Sequence, residues 1–236
     1  PTNNQKGDDA GWYVLHLDNV PVGIFGDWRT EAVEYWRGDV GRALSPGEKL
    51  RHKEQLDQVH QLAASAKVAD HENSRRKAES IWMVAAAAPA DHPYLIAKNV
   101  QSHGLKLDDG QLVVPMRIGD TLHSLQFINV DGTKRFLKGG RKKGCYHLIG
   151  TPGEVLCIAE GYATAASIHE ATGHAVAVAF DAGNLQPVGI ELASHYPDAR
   201  LVFCADDDRA TEGNPGLSKA KRAGETTGGL VVVPSF

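Results

Sequence analysis

The chain has 236 residues, of which 42% are hydrophobic, and a formal net charge of -4; this suits a globular protein of one or two domains with a sizeable buried core. The mild acidity excludes nucleic-acid binding through overall charge and leaves only a local basic patch for that purpose. No stretch reaches the roughly 18 to 20 continuous apolar residues of a membrane span and no signal peptide is visible, so a cytoplasmic protein without a membrane partner is expected.

Residues 1 to 10 are polar and are expected to fray. Two apolar runs follow, Trp12 to Leu17 and Val22 to Phe25, separated by Asp18, Asn19 and Pro21, which predicts a β-hairpin. Ser45, Pro46 and Glu48 mark a helix start, and the Ala-, Lys-, Glu- and Gln-rich pattern predicts a helix from about Pro46 to Ala88, closed by Pro89. Its apolar stripe, Leu50, Leu56, Val59 and Leu62, is narrow, so the helix lies along solvent. Whether it guides a template or only packs is left open by the pattern.

Short strands are expected at Leu112 to Met116, Leu122 to Ile128 and Arg135 to Leu137, with Gly119-Asp120 and Asp131-Gly132 as hairpin turns. This small antiparallel sheet leads into a basic segment in which Lys134, Arg135, Lys138, Arg141, Lys142 and Lys143 fall within ten residues beside Phe136. Such a run is either a solvated loop or the phosphate-tracking rim of a nucleic-acid groove with an aromatic for stacking.

From Glu154 the pattern becomes α/β. Apolar runs at Val155 to Ala159, Ala175 to Phe180, Leu201 to Ala205 and Leu230 to Val233 alternate with helical stretches at Tyr162 to Ala171, Val188 to Tyr196 and Asn214 to Ala223. The order βαβαβαβ predicts a parallel sheet with helices on both faces and a ligand crevice beyond the carboxyl ends of its strands. Overall the class is α/β in the C-terminal part and α+β for the chain, with a mixed N-terminal subdomain at 1–150 and the parallel-sheet domain at 151–236.

Glu160 follows the first of these strands, and Asp206, Asp207 and Asp208 follow the third. An extended chain sends Asp206 and Asp208 to one side and Asp207 to the other. Carboxylates at that edge suit Mg²⁺ or Mn²⁺, which bind through a few acids plus water and substrate phosphates; the same acids also serve as helix caps, and both readings stand at this point. Cys145, Cys157 and Cys204 match no zinc spacing and read as reduced core residues. The histidines show no paired metal spacing.

Glu160-Gly161-Tyr162 after an apolar strand, with Asp206-x-Asp208 after a later one, resembles the TOPRIM domain shared by bacterial DnaG-type primases, topoisomerases and certain nucleases. "EGYATAASIHEATGHAVAVAFDAGNL", "ADDDRATEGNPGLSKA" and "VVVPSF" are similar to the TOPRIM segment of primases encoded by phages, plasmids and mobile elements, often fused to a helicase. "HPYLIAKNV", "LVVPMRIGDTLHSLQFINVDGTKRFLKGGRKKG" and "YHLIG" resemble the basic subdomain that precedes it. The resemblance implies that Glu160, Asp206 and Asp208 hold divalent metal for nucleotidyl transfer from NTPs, with Asp181, Asn184 and Asp207 nearby. It further implies that Lys134, Arg135, Lys138, Arg141, Lys142 and Lys143 carry the single-stranded DNA template and the RNA–DNA hybrid. A nuclease using the same acids and a non-catalytic binding module are the alternatives. Thr164 stands where such primases commonly carry an acid, and the chain stops before a further acidic motif, so a domain truncated at its C-terminus and excised from a larger primase or primase-helicase is expected.

Overall fold

In the computed structural model, strand β1 (Gly11–His16) pairs antiparallel with β2 (Val22–Asp27), Tyr13 opposite Phe25, as the two apolar runs imply. The structure describes residues 11–17, 21–27, 33–39, 41, 43, 45–206, 211 and 214–234, so the turn at Asp18 and Asn19 lies outside the described residues. A third strand, β3 (Val33–Arg37), adds to β2; its mixture of charged and aromatic residues carries no clear period. Val22 and Ile24 are buried on one face of this sheet. Helix α1 (Pro46–Val84) begins with a reciprocal cap. The Ser45 N–H donates to the Glu48 carboxylate (2.8 Å), and the Glu48 N–H donates to the Ser45 hydroxyl (3.3 Å). The chain forms two compact units, Pro1–Ala69 and Asp70–Phe236, with the boundary inside α1.

The helix stops short of its expected end at Ala88. Ala86–Ala87 form a two-residue strand, β4, which pairs with Leu107 and Lys106 of β5 (Lys106–Asp108), and this pairing overrides the helix propensity of four consecutive alanines. A short helix, α2 (Pro93–Lys98), lies between them. With β6 (Gln111–Ile118), β7 (Thr121–Ile128) and β8 (Lys134–Phe136), these strands make a five-stranded antiparallel sheet in the order β4-β5-β6-β7-β8. One face packs Val113, Leu125 and Phe127 against Ala78, Ile81 and Trp82 of α1. The other face packs Leu112, Val114, Met116 and Ile128 into a core shared with the C-terminal sheet. Burial on both faces explains why β6 reads as a continuous apolar run.

The third sheet contains β9 (His147–Ile149), β10 (Val155–Ala159), β11 (Ala175–Val178), β12 (Arg200–Cys204) and β13 (Leu230–Val232), in the order β13-β12-β10-β11-β9. The four later strands are parallel, as expected, and β9 is an antiparallel edge that the sequence pattern does not announce. Helix α3 (Tyr162–Thr172) covers one face, where Tyr162, Ala165 and Ala166 share a core with Cys157, Ala159, Val176 and Val178. Helices α4 (Leu185–His195) and α5 (Pro215–Thr227) cover the other, with Leu185, Val188, Leu192, Ala220 and Ala223 against Leu156, Ile158, Ala177 and Phe203. Fully burying each of the large apolar side chains contributes about 1.5–3 kcal/mol. Small residues bring the helices close to the sheet: a Cβ on Gly189 would lie 2.7 Å from Phe203 Cζ. The three cysteines are free thiols, and no helix among the described residues is long and apolar enough to cross a membrane.

This strand order creates a switch point. From β10 the chain passes through α3 to β11 on one side, then crosses through α4 to β12 on the other. The connections diverge at the carboxyl ends of β10 and β12, where an open α/β sheet forms its ligand crevice.

Candidate metal centre

Strand register sets the acids side by side. Ala159 at the end of β10 is level with Cys204 at the end of β12, so Glu160 and Asp206 emerge one and two residues beyond neighbouring strands. On the other side of β10, the Ala179 N–H donates to the Ala159 carbonyl (2.8 Å), and Asp181 emerges two residues later. Asp206, Glu160 and Asp181 therefore span three adjacent strand ends, each half-buried. Asp207 and Asp208 lie outside the described residues.

Two of these acids have different local roles. The N-cap position of α3 is Gly161, so Glu160 stands one residue before the cap. Asp181 does cap: its carboxylate accepts the Asn184 N–H (3.0 Å) at a tight turn over residues 182–184. Phe180, just before it, is held at φ +74°, which a bulky side chain adopts only when its surroundings impose it.

The basic segment closes over this edge in part. Strand β8 alternates, so Lys134 and Phe136 share one face and Arg135 takes the other. Lys134 reaches Gly161: a Cβ built on that glycine would lie 3.8 Å from Lys134 Nζ and 3.8 Å from Thr164 Oγ1. Although Lys134 is exposed as a residue, loss of water around its ammonium and repulsion from Lys98 hold its pKa below the ordinary lysine value. Glu160 and Asp206 pull it the other way, so both acids lie within electrostatic reach of one ammonium. Phe136 meets Phe180 edge to face, with ring centroids 6.2 Å apart. Lys142 Nζ pairs with Asp181 Oδ2 at 2.7 Å and lies 5.6 Å from the Phe136 ring centroid.

The remaining expected residues make other contacts. Arg135 lies over the Phe127 ring, 4.1 Å from its centroid, and donates to Gln111 (2.7 Å). Arg141 donates to the Lys143 carbonyl (3.1 Å). Lys138 and Lys143 are exposed, and the Lys138 backbone carbonyl accepts the Ser74 hydroxyl (2.7 Å). Asn184 is buried, and its amide is committed to backbone. It accepts the Gly144 N–H (2.8 Å) and donates to the carbonyls of Cys145 (3.0 Å) and Ala179 (2.8 Å), tying the basic segment to the end of β11.

Sequence reasoning passed over Lys98, whose only signal is a lysine in the last turn of a six-residue helix. It helps line a cleft of about 320 Å³ with Tyr94, Val130, Asp131 and Lys134. A second cavity, of about 370 Å³, opens beside Lys221, Glu225 and Gly228, at the opposite edge of the sheet from the acids.

Among the described residues no three His, Cys, Asp or Glu side chains gather as a metal cluster. Glu160 and Asp206 nevertheless provide hard oxygen donors at neighbouring strand ends. A partial set of this kind suits a divalent ion that completes its shell with water and phosphate, so the residues present fit such an ion.

Residues 154–234 match the family described as Toprim domain, a domain that goes with divalent-cation binding. Over 99% of its length the chain is 39% identical to a DNA primase TraC of Escherichia coli, covering 23% of that protein. Over 98% of its length it is 37% identical to another Escherichia coli DNA primase TraC, covering 17% of it. The chain thus spans about a fifth of the length of these curated relatives. No solved structure matches it.

Proposed function

Taking the Toprim domain at 154–234 and the likeness to the TraC primases as the premise, we propose that this chain is the catalytic core of a DNA primase of the mobile-element type. It joins NTPs into short RNA primers on single-stranded DNA. One observation carries the reading: Glu160 and Asp206 leave adjacent parallel strands at the switch point, with the Lys134 ammonium in the field of both.

Glu160, Asp206 and Asp208 would hold Mg²⁺ or Mn²⁺, and the ion would supply positive charge against the triphosphate and the primer 3′-oxygen. The chain's own groups do the rest. Lys98 and Lys134 form a positive wall for the nucleotide phosphates beside the acids. Phe136 offers an aromatic face for a base, and Lys138, Arg141, Lys142 and Lys143 follow the template and the RNA–DNA hybrid by their charge. Lys142 exchanges Asp181 for a phosphate as the strand enters. Functionally the chain divides into a template-binding part, 1–150, and the metal-binding part, 151–236. A helicase, in the same polypeptide or as a partner, supplies the single strand.

The test is to incubate the chain with single-stranded template, labelled NTPs and Mg²⁺ or Mn²⁺. Short oligomers are expected from the wild type and none from Glu160→Gln or Asp206→Asn, both still folded and template-binding. Synthesis unchanged in either variant rejects the assignment, and shortening of the template without oligomers identifies a nuclease instead.

A further inference from the structure

The acidic edge already contains a positive charge belonging to the chain. Lys134 comes from a different sheet, and the alternation of β8 brings it, not Arg135, to Gly161. The corner it enters also holds Thr164, at the same 3.8 Å from the position a Gly161 Cβ would take. Thr164 lies one helical turn after Glu160, and the residues of α3 within that turn include no acid, so α3 adds no further carboxylate to the corner. A second divalent ion placed beside Gly161 would therefore meet a hydroxyl and an ammonium. Loss of water and the Lys98 charge act against that ammonium, and Glu160 and Asp206 attract it.

Resting on the metal reading above, we propose that Lys134 is a built-in counter-ion of this site. Its ammonium shares Glu160 and Asp206 with a single divalent ion, and it supplies the second fixed positive charge that two-metal phosphoryl-transfer sites obtain from a second ion. It is a positioning residue: it sets how strongly the acids attract a cation and where the nucleotide phosphates settle. Because an ammonium partly cancels the field of the two carboxylates, removing it strengthens divalent binding. For a single and a double positive charge about 6 Å apart at the dielectric of water, which suits an exposed side chain, the gain is about tenfold.

The experiment is Mn²⁺ binding to the full chain, without nucleotide or DNA, followed by electron paramagnetic resonance. The wild type should bind one ion. Lys134→Met, and Lys134→Gln as a second neutral variant, should bind Mn²⁺ about tenfold more tightly, with unchanged circular dichroism. Lys134→Arg, which keeps the charge, should stay within about threefold of the wild type, and Lys221→Met, an equal charge loss at the opposite edge of the sheet, within about twofold. Equal affinity in the wild type and both neutral variants overturns the counter-ion role while leaving the metal site standing, and so do two ions in the wild type. No Mn²⁺ binding by any of these proteins rejects the metal reading and the counter-ion role together.

Discussion

Replacing Asn184 by alanine tests how the basic segment is fixed to the sheet. The side chain is 2% exposed and makes three hydrogen bonds to backbone groups of Gly144, Cys145 and Ala179. At about 1 kcal/mol net for each bond, the loss is about 3 kcal/mol, because alanine leaves one N–H and two carbonyls without this partner in a buried position. For a chain of this size that corresponds to a fall in Tm of roughly 6–12 °C. Urea unfolding of the full chain reads it as a lower midpoint with an unchanged slope. Asn184→Asp separates the contributions: it keeps the acceptor for Gly144 but turns both donated bonds into contacts between a carboxylate and carbonyl oxygens, so it should be less stable than the alanine variant. A loss below about 1 kcal/mol in Asn184→Ala, or wild-type stability in Asn184→Asp, would refute the clamp.

Two further outcomes follow. Replacing Lys142 and Lys143 together by alanine should weaken single-strand binding and reduce the salt slope of log K by about 0.7–1.4, measured by fluorescence anisotropy over a salt series; an unchanged slope returns the segment to a solvated loop. His147 gives a pH dependence. Burial lowers its pKa from the ordinary 6.5 to about 4, with Arg117 and His103 adding repulsion, and among the described residues its Nε2 has no hydrogen-bond partner. The unfolded chain binds the proton first, so this contribution to stability is complete above about pH 6.5 and is lost as pH falls toward about 4, by up to about 3 kcal/mol. His147→Phe should flatten the decline in urea midpoint between pH 7 and pH 4.5, and a decline equal to the wild type's would remove His147 as its cause.

The C-terminal domain was legible because its strands are buried on both faces: continuous apolar runs alternating with alanine-rich helices leave little choice but a parallel sheet. The carboxyl-edge rule then locates Glu160 and Asp206 without reference to any contact. Elements whose existence depends on a distant partner were not legible. His147–Ile149 is three residues long and becomes a strand only because β11 offers it an edge. Ala86 and Ala87 look helical until β5 pairs with them. The basic segment shows a second kind of blindness. Lys134 and Arg135 are neighbouring cations of the same apparent meaning, yet the pleat sends one to the acids and the other to Phe127. Asn184 looked like a polar group for the site, and its amide proves to be engaged with backbone. That distinction requires knowing that residues 144 and 145 pass beside it, forty residues away in sequence. The strained backbone at Phe180 leaves no trace in composition at all.

The most direct measurement is the anomalous signal of Mn²⁺ in crystals of the chain. The account predicts a peak within coordination distance of carboxylate oxygens from both Glu160 and Asp206, lost in Glu160→Gln. A peak held by other acids, or by Asp206 without Glu160, would contradict it.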